Sequence, residues 1–169
     1  MSLRHRLTSL AFWADDGQLP RRAVASEASL AEYEQLLMGE AYDADVPGDL
    51  LKAMCWHASG WRQYEPGGRV LSTPGRHGTS WGAMQLSEVW HPDAFPEARE
   101  SARANIRYAA RLLRWLYEQT GDWRRAAVMF FGHDRQAEAA ARRVVRYSHT
   151  RPWQQHGSAV ADGDAAAAR

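Results

Sequence analysis

The chain has little of several residue types, and each shortage excludes a class of protein. Cys55 is its only cysteine, so no intrachain disulfide can form, and its place on the apolar side of a predicted helix indicates a buried thiol rather than a nucleophile. No apolar run approaches the roughly 20 residues that span a bilayer. The net charge of +1 is too small to indicate a nucleic-acid partner.

Cofactor motifs are missing as well. The seven histidines include no HExxH pair and have no set of cysteine partners, so a zinc site is not expected. There is no Walker-type loop, and the glycines between residues 67 and 82 are typical of turns rather than of a phosphate cradle. We therefore expect neither a metal nor another cofactor.

What the chain does contain suits one compact domain. Its hydrophobic content of 45% is enough for one core, and its length of 169 residues is too short for a second domain. We predict an irregular N-terminal arm over residues 1–28, a folded domain over 29–157 and a disordered tail over 158–169. The basic N-terminus is interrupted by Asp15 and Asp16, and its apolar part is too short for a secretory signal peptide.

Between arm and tail the hydrophobic pattern is helical. Turn residues fill the segment 62–80, where Val70 and Leu71 could form a strand of a short hairpin. We find no other sheet signal and predict an all-α fold with a possible hairpin in this segment. The predicted helices run from a Ser29–Glu32 capping box to Tyr42, from Pro47 to Gly60, from Pro96 or Ala98 to Gln119, and onward from N-caps at Asp122 and Asp134.

The long helix before Gln119 is amphipathic. One face carries apolar residues that we expect in the core: Ile106, Ala109, Ala110, Leu113, Leu116 and Tyr117. The other face carries Arg103, Arg107, Arg111 and Arg114. We interpret the arginines as a solvated face in preference to a ligand site.

Position 58 lies where chemistry would be expected. Met54 and Ala58 are four residues apart, so both side chains lie on the same face of the second helix, which ends at Gly60 before a long loop. A carboxylic acid here would project from an apolar helix, where desolvation keeps it protonated and able to act as a general acid. Alanine has no proton to donate.

Tyr42 to Leu51, with Asp45, Val46 and Pro47, is the first of four segments that resemble the lytic transglycosylase and goose-type lysozyme superfamily, where such a segment leads into the catalytic helix. Residues 57–61, HASGW, match its Glu-Ser-Gly-aromatic block except at Ala58, and residues 82–86, GAMQL, match its Gly-x-x-Gln block. Asn105, Tyr108 and Leu112 fall where it has Asn-Ile-x-x-Gly-x-x-Leu, although Ala109 replaces the glycine. The chain departs from the superfamily at residues 130–133, FFGH, which stand in place of its Tyr-Asn-x-Gly segment and lack the tyrosine hydroxyl and the amide.

The resemblance implies a lysozyme-like fold and cleavage of the β-1,4 bond between N-acetylmuramic acid and N-acetylglucosamine. A glutamate at position 58 would protonate the glycosidic oxygen and then deprotonate the muramyl 6-hydroxyl, which gives a 1,6-anhydro end. Glu65, Glu88 and His57 are not expected to replace it. The residues that the resemblance and the aromatic pattern suggest for glycan binding are Ser59, Trp61, Tyr64, Trp81, Gly82, Ala83, Met84, Gln85, Trp90 and Phe130.

Several interpretations of Ala58 stay open. The chain is a transglycosylase inactivated by replacement of its glutamate, a natural pseudoenzyme that binds peptidoglycan without cutting it, or a hydrolysing lysozyme variant of the first. An adaptor built on the arginine-bearing helix is the remaining hypothesis. The expected partner is the peptidoglycan glycan strand, in the periplasm or outside the cell, reached through phage or secretion machinery or by another route.

Overall fold

The computed structural model describes residues 27–75, 78–132 and 134–155. Helices dominate, and one small antiparallel sheet completes the fold, which confirms the predicted α-rich chain with a short hairpin. The elements are α1 (Glu27–Asp43), α2 (Gly48–Ser59), β1 (Ser72–Gly75), β2 (Gly78–Trp81), β3 (Leu86–Ser87), a 3-10 turn (Pro92–Ala94), α3 (Glu97–Glu100), α4 (Ala102–Thr120), α5 (Trp123–Phe131) and α6 (Arg135–Thr150).

The helical part of the chain begins slightly before the predicted domain boundary. The predicted tail over residues 158–169 lies outside the described residues, as does the predicted arm up to residue 26, whereas residues 27 and 28 belong to α1. The prediction that Ser29 is the N-cap of α1 is wrong, because α1 already includes Glu27. No helix in the described ranges is long and apolar enough to cross a membrane.

Helix α2 is the centre of the core. Leu51, Ala53, Met54 and Cys55 are all completely buried, because α1 and α6 pack on either side of this short apolar helix. Pro47 precedes the first turn, and Gly60 ends the helix in the left-handed conformation, with its N–H donating to Trp56 O at 2.9 Å. The predicted bounds of this helix are confirmed.

The predicted long helix from Pro96 or Ala98 to Gln119 is two helices. Ser101 interrupts it with extended backbone (φ −140°, ψ 127°), and its hydroxyl caps α4 by accepting from Ala104 N at 3.3 Å. The buried face of α4 is as predicted except at Tyr117, which is only partly buried and stacks on Trp123 with 3.9 Å between ring centroids.

The next two helices begin at the predicted caps. Asp122 accepts from Arg125 N at 2.7 Å, and Asp134 accepts from Gln136 N and Ala137 N at 2.9 and 2.8 Å. These side chains satisfy backbone donors that the first turn of a helix leaves without partners.

The predicted hairpin is present two residues later than expected. Strand β1 begins at Ser72, which pairs with Trp81, and β3 adds a third strand beside β2. Val70 forms only an isolated bridge with Tyr64. The Gly82–Gln85 turn joins β2 to β3, so the sheet fixes both ends of that turn.

The arginines of α4 lie on a largely solvent-exposed face, as predicted, and three of them also pair with carboxylates. Glu40 of α1 is 2% exposed and accepts from Arg103 at 3.2 Å and from Arg107 at 2.9 Å. Arg114 donates to the Asp45 carboxylate and, at 3.0 Å, to Glu118. Three of the four arginines thus hold neighbouring carboxylates, which argues against an adaptor surface on α4.

Candidate functional site

Position 58 is where α2 reaches the surface. From Leu50 to Ser59 every residue except Ala58 is buried, and Ala58 is partly exposed. A larger side chain at this position would extend toward solvent from a helix end that is otherwise packed in the core. The geometry therefore agrees with the pattern that drew attention to Ala58.

Ser59 closes the end of α2. Its hydroxyl donates to Cys55 O at 3.3 Å and accepts from Arg62 N at 3.0 Å, while Arg62 Nε donates to Ser59 O at 3.0 Å. These contacts fix the direction in which the chain leaves the helix. Because the Ser59 hydroxyl both donates and accepts within the protein, it positions the segment around Ala58 and is not presented to a ligand.

The Gly82–Gln85 turn packs against α2 one turn before Ala58. The Cys55 thiol donates to Ala83 O at 3.5 Å, which joins helix and turn directly. Cys55 is completely buried, and burial raises the pKa of its thiol far above the ordinary value. The thiol is therefore an inert packing group.

Two buried amides hold the turn in place. Gln63 Oε1 accepts from Ala83 N at 2.9 Å, and Asn105 Oδ1 accepts from Met84 N at 2.7 Å. Both residues are 0% exposed. The opposite ends of these amides donate to backbone carbonyls near α3, so the turn, α3 and α4 are tied together.

The predicted role of the turn's peptide groups changes as a result. The N–H groups of Gly82, Ala83 and Met84 donate to Leu71 O, Gln63 and Asn105 respectively, and all three residues are buried. They support the floor of the site from within and are not available to a ligand.

Gln85 is the polar side chain of this turn. It is 7% exposed, its backbone is left-handed (φ 51°), and its Nε2 donates to Gly82 O at 2.8 Å. Its Oε1 has no hydrogen-bond partner among the described residues. A buried carbonyl without a donor costs about 1–3 kcal/mol, which a ligand hydroxyl could recover.

Trp61 is a core residue and does not present a ring to a ligand. It is 1% exposed, its Nε1 donates to Lys52 O at 2.9 Å, and its ring centroid lies 5.6 Å from Trp56 and 5.2 Å from Trp153. The same holds for Phe130, which is 7% exposed and packs on Phe131. Both predicted sugar contacts are thus occupied by packing.

The other predicted aromatic residues reach the surface. Trp81 and Trp90 are partly exposed, and Arg99 lies 4.2 Å from the Trp81 ring centroid, which covers one ring face. Tyr64 is 43% exposed, and its hydroxyl donates to Glu100 O at 2.9 Å. These three rings stay candidates for sugar contact.

Neither nearby acid stands in for the missing one. Glu88 pairs with Arg99, and Glu65 pairs with Arg69 at 3.1 Å. Both carboxylates lie on loops and keep a cation as partner, unlike a lone acid at the end of an apolar helix. Among the described residues, no three His, Cys, Asp or Glu side chains lie close enough to hold a metal ion.

His91 is a buried titratable group that packs against Tyr108 of α4. Its ring contacts the Tyr108 hydroxyl, with 3.4 Å between Nδ1 and the oxygen, and burial lowers the pKa of His91 to about 4. The neutral imidazole is therefore the stable form in the folded chain at neutral pH.

This burial predicts acid sensitivity. Protons bind His91 in the unfolded chain below pH about 6.5 but in the folded chain only near pH 4, so stability falls as pH drops through this window. Between pH 7 and 4.5 the free energy of unfolding should therefore fall by about 2 kcal/mol less in His91→Gln than in the parent chain. Urea unfolding at both pH values measures this difference. Equal falls in both proteins would contradict the prediction.

Sequence reasoning missed Gln63. The residue lies in the loop after α2, without a hydrophobic period around it. Four of its five hydrogen bonds reach residues at least 20 positions away, and in the fifth Leu71 N donates to Gln63 O. The one sign of Gln63 in the sequence is the glycine at position 82, because a Cβ there would lie 2.5 Å from Gln63 Oε1.

Comparison with known proteins adds no assignment. No protein-family model matches the chain, and neither a curated protein nor a solved structure matches it.

Proposed function

We propose that this chain is a peptidoglycan-binding domain of the lytic transglycosylase type that cannot cleave its ligand as it stands. The glycan strand would lie across the exposed end of α2, beside the Gly82–Gln85 turn. The observation that carries the proposal is Ala58, the one residue between Leu50 and Ser59 of α2 that reaches the surface.

The way three matching segments meet supports this proposal. The HASGW block ends α2, the GAMQL block packs on α2 through Cys55 and Ala83, and Asn105 of α4 holds Met84. These segments are far apart along the chain, and their resemblance to one family does not require contact. Asn105 bonds the GAMQL block directly, and Cys55, two residues before the HASGW block, joins the GAMQL block to the helix that HASGW ends.

The chemistry of the surface suits a carbohydrate. Sugars offer many hydroxyl donors and apolar ring faces, which buried carbonyl acceptors and aromatic rings recognise. Gln85 supplies an acceptor without a partner, and the partly exposed rings of Trp81 and Trp90 supply apolar area. The carboxylates described near this turn are ion-paired, so the surface does not repel an acidic muramyl group strongly.

The absence of turnover follows from position 58. Cleavage needs a proton on the glycosidic oxygen as the bond breaks, and a methyl group cannot supply one. Phe130 is a second departure, because it stands where the resembled family has a tyrosine hydroxyl near the acid. Both replacements remove polar catalytic groups and keep apolar packing, which suits binding without cleavage.

Binding to purified sacculi tests the proposal. We expect the chain to sediment with sacculi, and Gln85→Leu to bind about tenfold more weakly, since one hydrogen bond is worth about 1 kcal/mol or slightly more. Gln35→Leu, a change at an exposed position of α1, is the matched control and should bind like the parent chain.

Thermal unfolding of both variants separates affinity from folding. A folded parent chain that does not sediment with sacculi would contradict the proposed function. Equal losses in the Gln85 and Gln35 variants would remove Gln85 from the site.

A further inference from the structure

The small net charge conceals an uneven distribution of charge along the fold. Residues 27–120 contain thirteen acidic and nine basic residues, whereas residues 121–155 contain seven arginines and three acidic residues. The second group comprises α5, α6 and the segment after them. Residues 27–120 thus carry a net negative charge, and a net positive charge lies on α5, α6 and the segment after them.

Few of these arginines have a carboxylate partner. Among the described residues, only Arg142 and Arg151 of this group form ion pairs, with Glu138 at 3.5 Å and Asp49 at 2.6 Å. The remaining two acids, Asp122 and Asp134, accept backbone N–H groups as helix caps. On α4, by contrast, buried or neighbouring carboxylates hold three of four arginines.

The arginines of α6 form a stripe. Helical geometry of about 100° per residue places Arg135, Arg142 and Arg146 within about 40° of one another, opposite the buried Ala137 and Val144. All three are exposed, and Arg143, also exposed, flanks them. At about 1.5 Å per residue the stripe is about 16 Å long. We call Arg135, Arg142 and Arg146 the basic stripe.

Arginine in this arrangement favours phosphate. The guanidinium group forms paired hydrogen bonds with phosphate oxygens, and cations in a row suit a linear ligand with repeating charge. A lone phosphate would use one position of the stripe, whereas a polymer could use all of it.

We propose that the basic stripe of α6 binds a linear polyol-phosphate polymer of the kind attached to peptidoglycan. The choice of this polyanion rests on the proposed function, because it accompanies peptidoglycan in cell walls that carry such polymers. The stripe lies opposite the buried face of α6, away from the core that α2 shares. It would hold the domain on the wall while the surface at Ala58 contacts glycan.

Titration with poly(glycerol phosphate) free of glycan tests the stripe without the proposed glycan site. We expect the logarithm of the affinity to fall with the logarithm of the salt concentration with a slope of about −2, as three phosphate contacts release about 0.7 counterion each. Arg135→Gln with Arg146→Gln should make the slope shallower by about 1.4 and weaken binding at low salt about tenfold or more.

The matched control removes two exposed arginines elsewhere. Arg69→Gln with Arg111→Gln has the same net charge as the stripe variant and should bind the polymer as the parent chain does. Equal weakening in both variants, no binding by the parent chain, or tighter stripe-dependent binding to single-stranded DNA or anionic vesicles would overturn the proposal. Sacculi stripped of phosphate polymer should still bind the stripe variant, so failure of the glycan site is seen separately.

Discussion

Ala58→Glu is expected to convert the proposed glycan-binding domain into an enzyme that cleaves peptidoglycan. The parent chain should be slower by at least about 10²- to 10⁴-fold, the contribution of general acid–base help, or about 3 to 5 kcal/mol in the activation barrier. The new carboxyl group would extend from the one partly exposed position between Leu50 and Ser59 of α2. Release of soluble muropeptides from sacculi measures the rate.

The products identify the reaction. If the glutamate acts first as acid and then as base, mass spectrometry should find 1,6-anhydro ends and no new reducing ends, as the resemblance to lytic transglycosylases implies. Reducing ends would indicate the hydrolysing alternative. Ala58→Gln is the matched control, because it has nearly the same size and lacks a proton of suitable pKa.

Phe130 offers a second step in the same experiment. If the missing tyrosine hydroxyl limits the acid, Ala58→Glu combined with Phe130→Tyr should be faster than Ala58→Glu alone. An Ala58→Glu protein that binds sacculi and stays inert, alone and with Phe130→Tyr, would establish a binding domain whose departures from the family extend beyond position 58. Retention on sacculi distinguishes that outcome from misfolding.

Gly82→Ala is expected to cost the fold about 4 kcal/mol or more in free energy of unfolding. Gly82 has φ +75°, and a Cβ there would lie 2.5 Å from Gln63 Oε1 and 2.6 Å from Asn105 Nδ2. Left-handed backbone costs about 1–2 kcal/mol in other residues, and overpacking adds about 1–3 kcal/mol. Displacing the two amides would also break their hydrogen bonds to Ala83 and Met84.

Gly121→Ala is the control for Gly82→Ala. Gly121 has φ +65° at the end of α4, and a Cβ there would meet nothing within 4 Å. It should therefore show the backbone cost alone, about 1 kcal/mol. Urea unfolding of both variants measures the difference, and equal losses would mean that the amides around Gly82 move aside without cost.

Local signals predicted much of the fold. The caps at Asp122 and Asp134 and the end of α2 at Gly60 depend on residues within one turn of the chain, so the sequence reveals them. The break at Ser101 does not depend on such signals alone. Ala98 O and Arg99 O accept from Gln63, and Ala98 O also accepts from Asn105, which replaces the helical hydrogen bonds lost when Ser101 becomes extended.

In the candidate site, too, the sequence predicted some features and not others. The periodicity of α2 places position 58 on the inward face, and the structure adds that it is the one partly exposed position between Leu50 and Ser59. Aromatic residues gave no such guide, because a tryptophan suits a core and a sugar site equally well. Trp61 lies in the core, with left-handed backbone and a hydrogen bond to Lys52 O, whereas Trp81 and Trp90 reach the surface.

Side-chain chemistry and helical spacing are properties of the chain, so the residue pattern is enough to establish that α2 ends near Ala58 without an acid. What surrounds that position depends on tertiary packing. Gln63 and Asn105 reach across distant segments to hold the Gly82–Gln85 turn against α2, and Glu40 pairs with arginines of α4. Buried polar groups must find partners wherever the packed chain offers them, and sequence separation does not reveal which partners those are.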